Sequence, residues 1–306
     1  MIKSLTDPTF RESNVTMSSM TSAAQIELPD EPVVTIEPGK TWSILYLREL
    51  WTHRELLYFL TWRDLKVRYK QTALGVAWVV MQPLMMTLIF TVFLGKLARV
   101  PSDGSPYPLF VFAGMLPWLF VSGSIIASGS SLIGNANLIT KVYFPRIMIP
   151  AAMVCGRLFD FFVSLIVLGG MMFYYDVGLT KGVLMLPVLV ALMTILAVSI
   201  GMWAAAVNVK FRDVGVALPM LVQLWMFTSP VVYPSGIVLS QNIRPIFRWL
   251  YTLNPMVGII DNFRAAVLGN PFNWPPLLSA AVITLALFMY GSYQFRRLET
   301  TFADLI

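Results

Sequence analysis

The residues best suited to bind a charged ligand lie on one predicted helical face within residues 56–71. Arg63, Lys66 and Lys70 recur at spacings of three and four, which places them on one side of an α-helix. The neighbouring stripe is apolar and aromatic and consists of Tyr58, Trp62, Leu65 and Tyr69. Such a helix suits the headgroup layer of a membrane, with its rings buried and its cations among lipid phosphates. Two interpretations stay open: a lipid anchor alone, or an anchor whose cations also attract an anionic lipid-linked cargo.

The sequence disfavours catalysis and self-powered transport. It has no Asp-x-Asp pair and a single histidine, His53, whereas an enzyme acting on lipid-linked sugars would ordinarily carry paired carboxylates or a metal motif. Residues 39–41 resemble the end of a phosphate-binding loop, but Val34 stands where that motif needs glycine. A proton-coupled transporter needs ionisable groups in mid-membrane, and Arg157 and Asp160, three residues apart, are expected to neutralise each other. Any energy for transport must therefore come from a partner.

The elements that position these residues must lie in a membrane. Of 306 residues, 57% are hydrophobic and 12% charged, about half the charged fraction of ordinary soluble domains. Six segments reach the length of about 20 residues that crosses a bilayer, and they are 74–95, 109–133, 148–174, 183–207, 215–233 and 277–295. The predicted fold class is an all-α polytopic membrane protein. It has six transmembrane helices, an N-terminal interfacial amphipathic helix and two short re-entrant gate helices before the last span.

The distribution of lysine and arginine predicts which side of the membrane each loop faces. Residues 1–73, 134–147, 208–214 and 296–306 hold 15 of the 22 basic residues, and the opposite loops hold 6. Cytoplasmic loops carry the excess of positive charge, so both termini are predicted to be cytoplasmic. The predicted parts are a flexible cytoplasmic arm (1–40), an interfacial amphipathic helix region (41–73), a transmembrane domain (74–295) and a cytoplasmic tail (296–306).

Two short loops on the predicted cytoplasmic side place aromatic residues among charges. In the first, Asn137 can cap a short helix and Pro145 can end it. Exposing the apolar run 142–144 to the cytosol would be costly unless something covers it. Either loop could pack on the ends of its own helices, but two such loops on one side favour a docking surface for a cytoplasmic partner. The predicted docking residues are Val142, Tyr143, Phe144, Pro145, Arg146, Phe211, Arg212 and Asp213.

Residues 234–276 are too apolar for a free loop. Asn254-Pro255 supplies an N-cap and a favoured first helical residue, and Gly269 supplies a stop, which together predict a helix of about 14 residues. A second short helix is predicted from about Gly236 to Tyr251. Half-length helices enter a membrane only where protein buries them or where they line a watery cavity. A pore or gate is the favoured interpretation, and a flat outer cap is the alternative. The candidate gate residues are Arg244, Arg248, Asn254, Pro255, Asp261 and Arg264.

Several motifs together resemble those of one transporter family. The first runs from Arg63 to Trp78 and continues to Gln82-Pro83-Leu84. The others are 141–146, 211–213, and 229–234 with Asn254-Pro255. This pattern is similar to the permease subunits of ABC-2 type polysaccharide exporters, most of all those that export O antigen for lipopolysaccharide. The resemblance covers residues from about 45 to the C-terminus, and the arm of residues 1–40 falls outside it.

The resemblance implies a homodimer in the bacterial inner membrane, with two copies of a separate ATP-binding subunit docked on a coupling helix at about 137–146. ATP and Mg²⁺ would be bound by that partner, so no cofactor is expected in this chain, and no nucleic acid is implied. The implied cargo is a polysaccharide linked to undecaprenyl diphosphate, moving through a channel between the two copies and past a periplasmic gate at about 236–269. The alternatives are export of capsule, teichoic acid, small hydrophobic drugs or lipids, and remotely a membrane-embedded glycosyl or acyl transferase.

Aromatic side chains suit a path for such a polymer, because the apolar faces of sugar rings lie well on aromatic rings. Most aromatic residues of a membrane protein belong to its interfacial belts or its core. Those near span ends that we expect to line the channel are Trp78, Trp225, Phe227 and Tyr233. Arg63, Lys66 and Lys70 become the candidates for binding the lipid diphosphate, since phosphate recognition needs fixed cations.

Overall fold

The computed structural model describes residues 51–70, 75–141, 144–240, 245–299 and 302. Within these ranges the secondary structure is helical, with no β-strand. The α-helices are α1 (Arg54–Lys70), α2 (Ala77–Phe90), α3 (Tyr107–Gly134), α4 (Ala136–Lys141), α5 (Met148–Tyr174), α6 (Leu186–Lys210), α7 (Val214–Phe227), α8 (Ser235–Ser240), α9 (Pro245–Thr252), α10 (Pro255–Leu268) and α11 (Trp274–Glu299). A π-helical segment, Thr91–Leu97, continues α2, and a 3₁₀ helix, Lys181–Met185, leads into α6.

Five helical segments are long and apolar enough to cross a membrane. They are Ala77–Leu97, Tyr107–Gly134, Met148–Tyr174, Lys181–Lys210 and Trp274–Glu299. These segments correspond to the first four and the last of the six predicted spans. The chain is therefore a multi-pass membrane protein, and the predicted all-α polytopic fold class is confirmed.

The fifth predicted span is shorter than expected. Residues 215–233 were expected to form one helix, but α7 is helical only over 14 residues and is followed by turns and bends from 228 to 233. A helix of 14 residues rises about 21 Å, against a hydrocarbon core of about 30 Å. Pro230 explains the early end, because its ring clashes with the carbonyl four residues before it and it has no amide to donate. Apolar length alone could not reveal this break.

The helix α3 lies at the centre of the bundle and α2 at its periphery. In the most apolar stretch of α3, 83% of the residues are buried, against 11% in α2 and its π-helical extension. The larger apolar cluster joins α3 to α5, α6 and α10, through rings such as Phe110, Phe161 and Phe263. A smaller apolar cluster lies near α1 and α4, and its members include Leu60, Leu132, Ile139, Phe295 and Phe302. This end of the bundle is called the α4 end. The opposite end, where α10 begins and the 3₁₀ helix lies, is the α10 end.

The short helix predicted between Asn254 and Gly269 is present as α10. The Asn254 side chain accepts a hydrogen bond from the Met256 amide at 3.0 Å, and Pro255 occupies the first turn. Gly269 ends the helix with φ of 79°, a left-handed conformation that glycine adopts without strain. Nearly every residue of α10 is buried. A half-length helix is thus packed inside the protein, as membrane-depth backbone requires.

The second predicted short helix is helical in both of its described parts. A single helix was predicted from about Gly236 to Tyr251, and the described residues there form α8 (Ser235–Ser240) and α9 (Pro245–Thr252). Residues 241–244 lie outside the described residues, so the continuity of the helix stays a prediction. Pro245 is the first described residue of α9, and proline suits the first turn of a helix. Arg244, one of the candidate gate residues, lies outside the described residues.

Candidate functional site

A cavity of about 420 Å³ lies between α1, α2, α3 and α5. It begins beside the last residues of α1 and reaches the middle of α3, at Phe120 and Gly123. Most of its wall is apolar or aromatic, and one corner is charged. The main apolar and aromatic lining residues are Trp78, Val79, Pro83, Leu116, Phe120 and Phe161. This combination can hold a ligand that has an anionic part and an apolar part.

The charged corner of the cavity joins α1 to α5. Arg68 donates to Asp64 and to Asp160, each at 2.8 Å, and the Tyr69 hydroxyl donates to the other oxygen of Asp160. The Nη1 atom of Arg157 lies 3.6 Å from Asp160. The expected pairing of Arg157 with Asp160 is present as this ion pair, and the hydrogen bonds of the carboxylate go to α1.

The last turn of α1 fits closely against α5. A Cβ atom on Gly156 would lie 3.4 Å from Oδ2 of Asp64, an ordinary van der Waals contact, so the two helices are in contact at this point. Burial, together with the hydrogen bond to Asp160, raises the pKa of the Tyr69 phenol well above its usual range. Tyr69 therefore stays protonated and keeps donating to Asp160.

The three predicted phosphate-binding cations differ in their surroundings. Arg63 donates to the side-chain oxygen of Asn135 at 2.6 Å and so ties α1 to the junction of α3 and α4. The Lys66 ammonium lies 5.6 Å from the ring centre of Trp62, and both Lys66 and Lys70 are exposed. The cavity contains none of the three among its lining residues. Lys66 and Lys70 are placed where they could meet a phosphate at the surface.

The aromatic stripe of α1 does not face one environment. Tyr58 and Trp62 are exposed and stacked with ring centres 6.4 Å apart, whereas Tyr69 turns inward to Asp160. Sequence reasoning named Tyr69 only as part of the stripe and missed Asp64 and Arg68. Their spacing of four residues, and an arginine in a span that needs a counter-ion, are signals that could have indicated them.

The second predicted docking loop is exposed at the α4 end. Phe211 is 56% exposed, and the Lys210 ammonium lies 5.2 Å from its ring centre. Arg212 and Asp213 are also exposed. Buried Asn208 holds this loop: it donates to the Gly129 carbonyl at 2.8 Å and accepts from the Gly215 amide at 2.9 Å. Asn208 is a positioning residue that sequence reasoning did not find.

Replacing Asn208 with alanine should loosen this loop. The change leaves the Gly129 carbonyl and the Gly215 amide without their partner, at a cost of about 1–3 kcal/mol. We expect a lower midpoint of thermal unfolding for the purified protein in detergent. Asn137→Ala, at an exposed position of α4, is the matched control, and equal midpoints for the two variants would contradict the role given to Asn208.

The first predicted docking loop is partly engaged by its own chain. Phe144 is half-buried against the smaller apolar cluster, which is the packing on its own helices that the sequence left open for this loop. Arg146 donates to the Glu299 carbonyl and lies 5.8 Å from the ring centre of Phe302. Pro145, which stands between Phe144 and Arg146 in the sequence, is also half-buried. An apolar ring beside a partly filled cluster gains more by packing there than by facing water.

The helix of this first loop also begins earlier than predicted. The Asn135 carbonyl accepts from the amides of Leu138 and Ile139, at 2.9 and 3.2 Å, so α4 begins at Ala136 and Asn137 lies within it. The expected cap at Asn137 is therefore wrong. The predicted docking residues Val142 and Tyr143 lie outside the described residues.

Arg264, a candidate gate residue, is buried and hydrogen-bonded. It donates to the carbonyls of Phe110, Val231 and Tyr233 at 3.1, 2.5 and 3.3 Å. Its guanidinium carbon lies 3.7 Å from the ring centre of Phe110. Gly114 leaves the space that the guanidinium occupies, because a Cβ atom there would overlap both the guanidinium and the Val231 carbonyl. Arg264 thus joins α10 to α3 and to the segment that follows α7.

Two more side chains satisfy the irregular backbone after α7. Asn254 donates to the Thr228 carbonyl at 3.1 Å, and the Tyr107 hydroxyl donates to the Val232 carbonyl at 3.0 Å. Together with Arg264 they supply donors to four residues of the stretch 228–233. Backbone outside a helix is tolerated at membrane depth only with such partners.

The remaining predicted residues near this end differ in exposure. The Trp225 indole donates to Asn254 at 3.0 Å and meets Trp118 edge-on with ring centres 5.6 Å apart, so it is half-buried. Phe227 is 65% exposed, and Trp78, near the other end of the bundle, is 54% exposed. The Tyr233 hydroxyl donates to the Phe227 carbonyl at 3.1 Å. Arg248 is exposed and donates to the Leu239 carbonyl at 3.1 Å, while Asp261 is half-buried in α10.

Within the described ranges, no group of three or more His, Cys, Asp or Glu side chains could hold a metal ion. The cavity wall offers arginine side chains as its strongest ligands, which suit phosphate or carboxylate groups. The site can therefore bind and orient an anion.

Comparison with known proteins identifies the family. Residues 55–268 match the family described as ABC-2 type transporter. The chain is 31% identical to the O-antigen export system permease protein RfbA of Myxococcus xanthus over 268 residues, covering 86% of this chain and 100% of that protein. It is 26% identical to the RfbA permease of Klebsiella pneumoniae, covering 82% and 95% of the two chains. It is 22% identical to the polysialic acid transport protein KpsM of Escherichia coli, covering 76% and 91%. The chain thus belongs to the ABC-2 type transporter family, as a membrane-spanning permease.

Proposed function

We propose that this chain is the membrane subunit of an ABC transporter that exports a lipid-linked polysaccharide, with O antigen as the first candidate. The observation that carries the proposal is the similarity to an O-antigen export permease along that protein's whole length. The cavity beside α1 supports it, because an aromatic wall next to a charged corner suits a cargo made of sugar, phosphate and lipid.

A separate ATP-binding subunit would supply the energy. The exposed loop of Phe211, Arg212 and Asp213 offers that subunit a contact surface. The hydrogen bonds of Asn208 to the Gly129 carbonyl and the Gly215 amide hold this loop in place. The first loop would add Val142 and Tyr143, while Phe144 and Arg146 support it from behind. Two copies of the ATP-binding subunit and two of this chain would complete the transporter in the bacterial inner membrane, with both termini cytoplasmic.

The second copy of this chain would cover faces that are apolar and exposed in one copy. On α7 such residues include Val216, Met220 and Leu224, and α2 is exposed along most of its length. Large exposed apolar surfaces in a membrane protein meet lipid or another protein. A channel between two copies would place Phe227 and Trp78 near the cargo, with α8, α9 and α10 controlling its far end.

Reconstitution tests this function directly. The purified chain in liposomes, together with its ATP-binding partner subunit, should move a lipid-linked O-antigen glycan across the bilayer only when ATP is supplied. The expected difference is complete dependence on both the partner and hydrolysable ATP. Glycan movement by this chain alone, or hydrolysis of ATP by the isolated chain, would sink the proposal.

Capsule export is the second candidate, because a relative is named for polysialic acid transport. The same liposome assay separates the candidates when the O-antigen glycan is replaced by a lipid-linked capsular glycan. An exporter of small hydrophobic drugs or lipids would transport equally well without the aromatic side chains of Trp78 and Phe227.

A further inference from the structure

Arg157 carries hydrogen-bond donors that no described residue uses. Its Nε atom is buried without a hydrogen-bond partner among the described residues, and Nη1 lies 3.6 Å from Asp160, beyond a normal hydrogen bond. The side chain is 36% exposed and lines the cavity. Burying an unsatisfied cationic donor is costly, so a ligand that accepts from it would be bound with favourable energy.

Asp160 pairs with Arg157 only as an ion pair at 3.6 Å, because its hydrogen bonds are made with α1. Oδ2 accepts from Arg68 at 2.8 Å, and Oδ1 accepts from the Tyr69 hydroxyl. Arg68 also holds Asp64 at 2.8 Å. The two carboxylates of the corner therefore converge on one arginine, and the other arginine keeps its planar set of N–H groups for a different acceptor.

The surroundings leave room beside this guanidinium. Gly123 faces it from α3, and a Cβ atom there would lie 3.5 Å from Nε of Arg157, so any longer side chain would fill the space. Trp78, Phe120 and Phe161 form an apolar wall in the same cavity. Arg157 lies nine residues after Met148, about 14 Å along α5. Arg157 lines the cavity, whereas Lys66 and Lys70 are exposed and are not among its lining residues.

We propose that Arg157 binds the diphosphate of the lipid-linked cargo inside this cavity, with Arg68, Asp160 and Tyr69 holding the corner in shape and the aromatic wall contacting the first isoprene units. A planar guanidinium and a phosphate form paired, charge-assisted hydrogen bonds. This inference rests on the proposed function. It moves the main phosphate ligand from the surface cations Arg63, Lys66 and Lys70 to α5.

Calorimetric titration of the full chain tests the assignment. The protein is placed in nanodiscs of phosphatidylcholine and titrated with farnesyl diphosphate, a short polyprenyl diphosphate. Arg157→Gln should weaken binding about tenfold to a hundredfold, which is the loss of a hydrogen bond to a charged group. Arg157→Lys should show a smaller loss, because the ammonium keeps the charge without the fork. Lys181→Gln, at an exposed position of the α10 end, is the matched control and should bind like the wild type.

A second variant tests the site without replacing Arg157, in case the Arg157 variants do not fold. Gly123→Leu retains the arginine but fills the space beside it, so we expect a comparable loss of farnesyl diphosphate binding. Wild-type affinity in both Gly123→Leu and Arg157→Gln would overturn the proposal. Equal binding of farnesol, which lacks the diphosphate, would overturn it as well.

The headgroup of a membrane phospholipid also carries a phosphate that Arg157 could bind. A titration in nanodiscs of a different lipid composition distinguishes the headgroup from the cargo. Nanodiscs containing phosphatidylglycerol should leave farnesyl diphosphate binding unchanged. If phosphatidylglycerol weakened farnesyl diphosphate binding in the wild type but not in Arg157→Gln, the site would belong to phospholipid headgroups. That result would overturn the assignment to cargo. The ATP-dependent glycan assay is separate: a wild-type chain that fails there refutes the proposed function, whereas Arg157-independent binding refutes only this inference.

Discussion

Replacing Arg264 with methionine is expected to unfold the α10 end of the bundle. The guanidinium donates to three carbonyls, those of Phe110, Val231 and Tyr233. Each buried group left unpaired costs about 1–3 kcal/mol. The loss is on the order of 5 kcal/mol, comparable to the whole stability of many proteins.

Thermal unfolding in detergent, followed by size-exclusion chromatography of the heated protein, measures this effect. Arg248→Met is the matched control, because Arg248 makes one exposed hydrogen bond on α9. Arg264→Lys should fall between, since one ammonium cannot reach three carbonyls in the fixed geometry of a guanidinium. Gly114→Ala should resemble Arg264→Met, because the added carbon overlaps the guanidinium. Equal melting of Arg264→Met and Arg248→Met would contradict this structural role.

Replacing Phe211 with aspartate is expected to abolish transport while leaving the chain inserted and folded. Phe211 is 56% exposed in the second docking loop, so its loss costs the isolated chain little. A buried aromatic anchor at a protein interface is worth about 2–4 kcal/mol, which corresponds to roughly 30- to 1,000-fold weaker binding. Co-purification of the ATP-binding subunit and ATP-dependent glycan movement should both be lost.

Leu179→Asp is the control for this change. Leu179 is 82% exposed in the connection between α5 and the 3₁₀ helix, at the opposite end of the bundle. It introduces the same charge without touching the docking loop. If Phe211→Asp retained its partner and its transport, or if Leu179→Asp lost the partner equally, the docking assignment would have to be abandoned.

Local signals in the sequence predicted the features that depend on local physics. Apolar length located five membrane-crossing segments. Asn254, Pro255 and Gly269 fixed both ends of α10, because capping involves atoms only a few residues apart. The break at Pro230 was also local, and attention to this proline would have predicted the short α7.

The partners of the charged residues could not be predicted in this way. Arg264 was placed in a gate helix, but its acceptor on Phe110 is 154 residues away in the chain. Spacing along one helix indicated Arg157 as a partner of Asp160, and that ion pair is present at 3.6 Å. The hydrogen-bonded partner, Arg68, is 92 residues away from Asp160 and gave no such signal. Which donor a carboxylate accepts from depends on how helices pack, and packing is a property of the whole fold.

The shortness of α7 has a consequence for the bilayer around it. Its 14 residues fall about 9 Å short of a typical hydrocarbon thickness, and the capped stretch 228–233 makes up the remainder with non-repetitive backbone. Hydrophobic mismatch costs a fraction of a kcal/mol per Å wherever acyl chains must compress to match a short segment. Lipids with shorter tails would therefore fit best wherever α7 meets the bilayer rather than the second copy of the chain.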